Sequence, residues 1–157
     1  MDDAIWAYVA GFLDGDGSVV LQLKPRSDYR YGFQIKATVS FFQRDDEILR
    51  WLYRHIGEGR LRRRNDGLWE YDIEGLAPVR RFLQKVRPYV VAKRQQVEQA
   101  LHLLDAMLAV PKPSPEQFVQ WAQQVESYQA LNYSKKRKYT AQDVERFLRS
   151  KGLLPPP

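Results

Sequence analysis

Trp6-Ala-Tyr-Val-Ala-Gly-Phe-Leu-Asp-Gly-Asp-Gly-Ser18 is the stretch around which the chain is arranged, a helix that runs into an acidic, glycine-rich turn. Ile5, Val9, Phe12 and Leu13 stand at i, i+4, i+7 and i+8, the spacing of one apolar helix face, so the helix reads up to Leu13. Ala7, Ala10, Gly11 and Gly15 carry almost no bulk, and small residues four apart let two helix backbones approach closely. The helix is expected to stop at Asp14-Gly15-Asp16-Gly17. A carboxylate at a helix C-terminus meets the negative end of the dipole, so nothing local stabilises it. A hard divalent cation held by oxygen ligands would answer that charge. An ordinary Asp-Gly turn, with a glycine in the left-handed conformation, is the other reading of these four residues.

Length and composition bound the rest. With 157 residues, 44% of them hydrophobic, the chain suits one domain with a real core. It contains no apolar run of about 18 residues, so no transmembrane helix is expected. The acidic Met-Asp-Asp start argues against a signal peptide, and hence against secretion. The absence of cysteine removes disulfides and thiolate metal sites. His55 and His102, the two histidines, fall in separate helical segments, which makes a structural zinc site improbable. A net charge of +6 and a pI near 9.6 suit a nucleic-acid-binding domain, although the sign alone is weak evidence.

After Gly17 the period changes from helix to strand. Val19, Leu21 and Leu23 alternate with Ser18, Val20, Gln22 and Lys24; a polar loop from Pro25 to about Arg30 follows. Phe33, Ile35, Ala37, Val39 and Phe41 then alternate with Gln34, Lys36, Thr38 and Ser40. This predicts an antiparallel hairpin with one face in the core and one in water. A second hairpin is expected from Arg60–Arg64, the turn Asn65-Asp66-Gly67, and Leu68–Glu74, because Asp-Gly between alternating strands is a strong turn signal. Its apolar face holds Trp69, Tyr71 and Ile73, and its polar face holds Glu70 and Asp72 with Arg60, Arg62 and Arg64. Arg and Lys donate to guanine, Gln pairs with adenine, and acids accept from cytosine, so these polar faces match what base edges require. A plain solvated sheet face has a similar composition.

Helices are expected from Asp45-Asp46-Glu47 to Gly57, from near Pro78 to Arg87-Pro88, and from about Lys93 to Leu108. Pro111-Lys-Pro-Ser-Pro115 reads as a rigid connector. It leads to a helix with Phe118, Trp121, Ala122 and Val125 inward, and then to a last helix opened by the capping box Thr140-x-x-Asp143. Between them lies the basic run Lys135 to Lys138, placed before a helix N-terminus as phosphate binding favours; a nuclear-localisation-like patch or a plain solvated loop is the alternative. Leu153-Leu-Pro-Pro-Pro157 is expected to fray. The organisation is a single domain over 1–157, with a core over 1–110 and a helical tail over 114–150.

Ala7-Tyr-Val-Ala-Gly-Phe-Leu-Asp-Gly-Asp-Gly17 closely resembles the signature of the LAGLIDADG homing endonucleases, and the element order resembles their single-motif, group I intron-encoded type over nearly the whole chain. The resemblance implies an α+β fold of αββαββα order, with a four-stranded antiparallel DNA-binding sheet and C-terminal helices. It implies a homodimer packed through the motif helices at Ala7, Ala10, Gly11 and Gly15. Such enzymes cut long pseudo-palindromic double-stranded DNA sites across the minor groove with Mg²⁺, leave short 3′ overhangs and promote intron homing. Mn²⁺ is expected to substitute, and Ca²⁺ to bind without supporting cleavage. Position by position, Asp16 matches the catalytic, metal-binding carboxylate, and the Gly15 carbonyl a second ligand. Gln43 matches the residue that orients active-site water, Lys93 matches the basic residue near the scissile phosphate, and Asp14 reads as structural. DNA contacts are expected from Gln22, Lys24, Arg26, Tyr29, Gln34, Lys36, Thr38, Ser40, Arg62, Arg64, Glu70 and Asp72, and from Ser134, Lys135 and Lys138. One departure stands out: Glu47 occupies a place where relatives carry a basic residue; Arg44 or Arg50 could substitute for it, and an ordinary acidic residue in the first turn of a helix is the other reading of Glu47. An organelle (chloroplast or mitochondrion) or a bacterial cytoplasm is the implied location. A non-cleaving DNA-binding regulator and an RNA maturase are the competing readings.

Overall fold

In a computed structural model, which describes residues 2–132 and 138–157, helix α1 (Asp3–Asp16) begins where the Asp2 carboxylate accepts a hydrogen bond from the Ala4 amide at 2.9 Å. The helix does not stop at Leu13. It carries Asp14, Gly15 and Asp16 in its last turn, and Gly17 ends it in an extended conformation (φ −93°), not a left-handed one. The glycine is required there by packing. A Cβ added to Gly17 would lie 2.6 Å from Leu13 Cδ1 and 2.8 Å from Phe41 Cε1, both on fully buried side chains. The inward stripe is Trp6, Val9, Ala10 and Leu13, with Ile5 and Phe12 only partly covered and Phe12 stacked on Phe41.

Strands β1 (Gly17–Pro25), β2 (Phe33–Gln43), β3 (Arg60–Arg63) and β4 (Trp69–Glu74) form one antiparallel sheet in the order β1-β2-β4-β3. Both expected hairpins are present; the new fact is that β2 pairs with β4, which joins them into one surface. Helix α2 (Glu47–Ile56) lies between the hairpins, and Gly57 closes it in the left-handed region (φ 81°), its amide donating to the Tyr53 carbonyl. Helices α3 (Leu76–Val86) and α4 (Arg94–Ala109) follow, then α5 (Pro115–Gln129) and α6 (Ala141–Ser150).

Val19, Leu21 and Leu23 of β1 and Phe33, Ile35, Ala37, Val39 and Phe41 of β2, with Tyr71 and Ile73 of β4, are buried in one continuous core with the helices. Ser114 caps α5 and the Thr140–Asp143 capping box opens α6, as the pattern required. Helix α5 runs beside β1, where the Tyr128 hydroxyl donates to the Val19 carbonyl at 2.5 Å and Gln129 Nε2 to the Leu21 carbonyl at 2.9 Å. Burial pushes the Tyr128 phenol above its ordinary range. The C-terminal end is not frayed: the Leu153 amide donates to the Leu148 carbonyl, Leu153 and Leu154 pack on the core, and Arg149 reaches the Pro155 carbonyl. Among the described residues no helix is long and apolar enough to cross a membrane.

Candidate active site and nucleic-acid interface

The end of α1 sorts its two carboxylates into different jobs. Asp14 turns toward the segment that precedes α4. Its Oδ2 accepts from the Val91 and Ala92 amides at 2.7 and 3.1 Å, and its Oδ1 from the Lys93 amide at 3.0 Å. The Lys93 ammonium donates to the Asp14 carbonyl at 3.0 Å. The positive partner that a helix C-terminus calls for is therefore supplied by the chain itself, as three amides and one lysine. Asp14 is structural here, consistent with its reading as the earlier acid of the motif.

Asp16 is exposed, and Gln43 Nε2 at the end of β2 donates to its Oδ2 at 3.0 Å. Of the last carbonyls of α1, Leu13 is taken by the Gly17 amide and Asp14 by Lys93, while those of Gly15 and Asp16 have no partner within the helix. One exposed carboxylate beside an open carbonyl is a hard oxygen donor pair, which fits a divalent cation of the magnesium type. Among the described residues no three acidic or imidazole groups cluster to complete a metal site.

Glu47 is the first residue of α2 and lines a cleft of about 550 Å³ with Tyr8, Gln43, Asp45, Trp51 and Arg54. Arg50 does not stand in for the missing basic residue. It is held by Asp46 at 2.5 Å, keeping that carboxyl below its usual range, and lies over the Trp69 ring. The basic group in the cleft is Arg54, which sequence reasoning passed over because it lies two helical turns beyond Glu47.

The exposed stripe of α1 holds Ala7, Tyr8, Gly11 and Gly15, with nothing within 4 Å of a Cβ added to either glycine. Ala10 does not belong to it. Its side chain is fully buried in the core of its own chain, because it lies on the Trp6–Leu13 side of the helix.

The polar face of the sheet gathers Gln22, Lys24, Gln34, Lys36, Thr38 and Ser40 with Arg62, Glu70 and Asp72. It differs from the open face expected in that Thr38, Ser40, Glu70 and Asp72 are all at most 8% exposed. They form its floor, and longer side chains stand around them. Arg62 is paired with Glu70 at 2.7 Å and Lys36 with Glu74 at 3.4 Å. Arg26 Nε donates to Gln34 Oε1, Tyr29 is exposed on the loop after β1, and Arg64 lies beyond β3 between Asp66 and the Phe42 ring. Lys138 is exposed, with its ammonium over the Tyr139 ring, whereas Ser134 and Lys135 lie outside the described residues.

No protein-family model matches the chain. The DNA endonuclease I-CreI of Chlamydomonas reinhardtii is 33% identical over 147 residues, spanning 91% of this chain and 88% of that protein. This chain belongs to the LAGLIDADG homing endonucleases. A second LAGLIDADG relative, the DNA endonuclease I-CvuI of Chlorella vulgaris, is 29% identical over 153 residues, covering 96% of this chain and 94% of that one. The crystal structure of I-CvuI with the I-CreI target in 2 mM magnesium, its DNA not cleaved, superposes with a TM-score of 0.88 over 96% of each chain. An archaeal intron-encoded homing endonuclease, I-Vdi141I, shares the LAGLIDADG fold (TM-score 0.86, 98% of this chain and 99% of that one) at only 18% identity.

Proposed function

We propose that this chain is a site-specific double-strand DNA homing endonuclease that acts as a homodimer on a long pseudo-palindromic site and leaves 3′ overhangs. The observation that carries the reading is the Gln43–Asp16 hydrogen bond at the open end of α1, beside a sheet whose polar face is lined with Gln, Lys and Arg. The sheet's strands are the element that fits the major groove, and the basic side chains on its rim would meet phosphates. Affinity should therefore fall steeply with salt.

Asp16 and the Gly15 carbonyl would hold Mg²⁺, which when bound lowers the pKa of water and stabilises the leaving 3′ oxygen. Gln43 spends its amide N–H on Asp16, which fixes that carboxylate's rotamer and leaves the Gln43 carbonyl oxygen to accept a hydrogen bond from an attacking water. Lys93 spends one ammonium proton on the Asp14 carbonyl and has two more for a phosphate oxygen. One chain supplies one Asp16, so a site for both DNA strands requires a second copy. The exposed Ala7, Gly11 and Gly15 stripe would bring the two α1 helices together.

The test is selection from a randomised pseudo-palindromic DNA library, run with Mg²⁺ and with Ca²⁺, for wild type and Asp16→Asn. A symmetric site cut by wild type with Mg²⁺, and bound but uncut by Asp16→Asn, is expected. Metal-dependent cleavage by Asp16→Asn would overturn the assignment of that carboxylate. Binding without cleavage by wild type in either metal would favour a regulator or maturase on the same scaffold.

A further inference from the structure

The floor of the DNA-facing sheet contains a group with no evident reason to be ionised. Asp72 is 5% exposed, and its Oδ1 has no hydrogen-bond partner among the described residues. It lines a cleft of about 210 Å³ on the sheet's polar face, whose other charged members are Lys36, Arg60, Arg62, Glu70 and Glu74. The register puts Asp72 opposite Ser40 of β2 on one side and Arg60 of β3 on the other. Glu70 and Glu74 lie two residues away along β4, on the same face. Burial pushes the Asp72 carboxyl up to about 6, against a hydrogen bond from Ser40 that opposes the shift and with help from a hydrogen bond shared with the Glu70 carboxyl and from the charges of Glu70 and Glu74.

Two of the three neighbouring cations are already in use. Arg62 is paired with Glu70 and Lys36 with Glu74, while Arg60, across from Asp72 at the rim of the cleft, is exposed and makes no ion pair among the described residues, which leaves it free to turn to a DNA phosphate. Thr38 and Gln22 bring no charge, and no histidine is among the residues lining the cleft. A buried carboxylate with an orphaned oxygen and two acidic neighbours is costly, and a proton removes the cost by turning the acceptor into a donor.

We propose that the Glu70–Asp72 pair takes up one proton from solvent when duplex DNA docks on the sheet, and that the neutral acid then donates a hydrogen bond into the groove. Docking drives the uptake in two ways. It closes the cleft and adds phosphate charge, both of which disfavour the anion. It also offers Arg62 a competing acceptor, so that Glu70 is less fully compensated and repels Asp72 more strongly. The base edge above Asp72 would accordingly be one that presents an acceptor, such as a purine N7 or a guanine O6. The inference rests on the DNA-binding reading above and adds a proton to it.

Fluorescence anisotropy tests it, with a labelled duplex recovered by binding selection in Ca²⁺, at fixed salt. Affinity is expected to weaken roughly tenfold between about pH 5.5 and about pH 7.5 for wild type, because binding carries one proton. Asp72→Asn should be flat across that range and bind as tightly as wild type does in acid. Glu70→Gln, which removes the acidic neighbour, should move the wild-type slope to lower pH, and it serves as an independent probe if Asp72→Asn folds poorly. Titrating in two buffers of different ionisation enthalpy should show net proton uptake for wild type and none for Asp72→Asn. Tight binding with no pH slope, or the same slope in Asp72→Asn, would overturn the proton uptake alone. No binding to any duplex at any pH would overturn the DNA reading and this inference with it.

Discussion

Replacing Gly11 and Gly15 with alanine separates the folding of one chain from the pairing of two. Both glycines sit inside α1, and an added Cβ at either meets nothing within 4 Å in its own chain. A glycine-to-alanine change in a helix interior favours the helix by up to about 1 kcal/mol, the case for Gly11, and by less in the last turn, where Gly15 lies, so each single chain should be as stable as wild type or more so. The cost would fall on the proposed dimer. A methyl inserted between two closely packed backbones costs about 1–3 kcal/mol, and symmetry inserts it twice, giving about 2–6 kcal/mol per substituted position. That corresponds to a dissociation constant raised from about 30-fold to about four orders of magnitude. Sedimentation equilibrium over a range of protein concentrations would measure it, with denaturant unfolding of the monomeric variant alongside. A Gly11→Ala, Gly15→Ala double variant that dimerises as tightly as wild type would refute the placement of the interface on this stripe.

Three further outcomes follow from particular contacts. Gly17→Ala should lose about 1–3 kcal/mol by overpacking against Leu13 and Phe41, since its backbone conformation suits any residue; an unfolding free energy lowered by less than about half a kcal/mol in denaturant titration would contradict it. Asp14→Ala strips the acceptor from three amides and should cost roughly 1–3 kcal/mol, with faster hydrogen exchange at Val91, Ala92 and Lys93 as its signature. Unchanged exchange at those amides would show that Asp14 does not hold them. In Asp72 the folded carboxyl lies at about 6, above an unfolded value near 4, so its contribution is fully present below about pH 4 and lost as pH rises through 6. Asp72→Asn should therefore gain up to about 3 kcal/mol relative to wild type above pH 6, an advantage that vanishes near pH 4 in denaturant titrations.

The strands were legible because alternation at Val19–Leu23 and Phe33–Phe41 has one solution once a face is buried, and Asp66-Gly67 marks its own turn. The helix caps at Ser114 and Thr140 are equally local and were readable for the same reason. What the chain in one dimension conceals is who meets whom. Asp14 finds its partners in residues 91–93, far along the sequence, so its charge looked uncompensated and the helix looked as if it had to end early. Ala10 looked like an interface residue because smallness is visible in a sequence and direction is not. Its neighbour Gly11, one position on, points to solvent while Ala10 is buried. Gln43 was matched to its role by family likeness, yet its bond to Asp16 depends on β2 ending beside the last turn of α1, a register set by Gly17 pairing with Phe41.

The bonds from Tyr128 and Gln129 to β1 give the helical tail a further consequence. β1 is an end strand of the sheet, and the outward carbonyls of Val19 and Leu21 are the groups a foreign strand would pair with. Helix α5 occupies them with side chains that cannot propagate a ladder. A chain cut after the proline-rich connector would keep Asp16 and Gln43 but would present an unguarded template nine residues long. Its failure would be precipitation through edge-to-edge strand pairing, and the tail is thus a solubility device as well as part of the core.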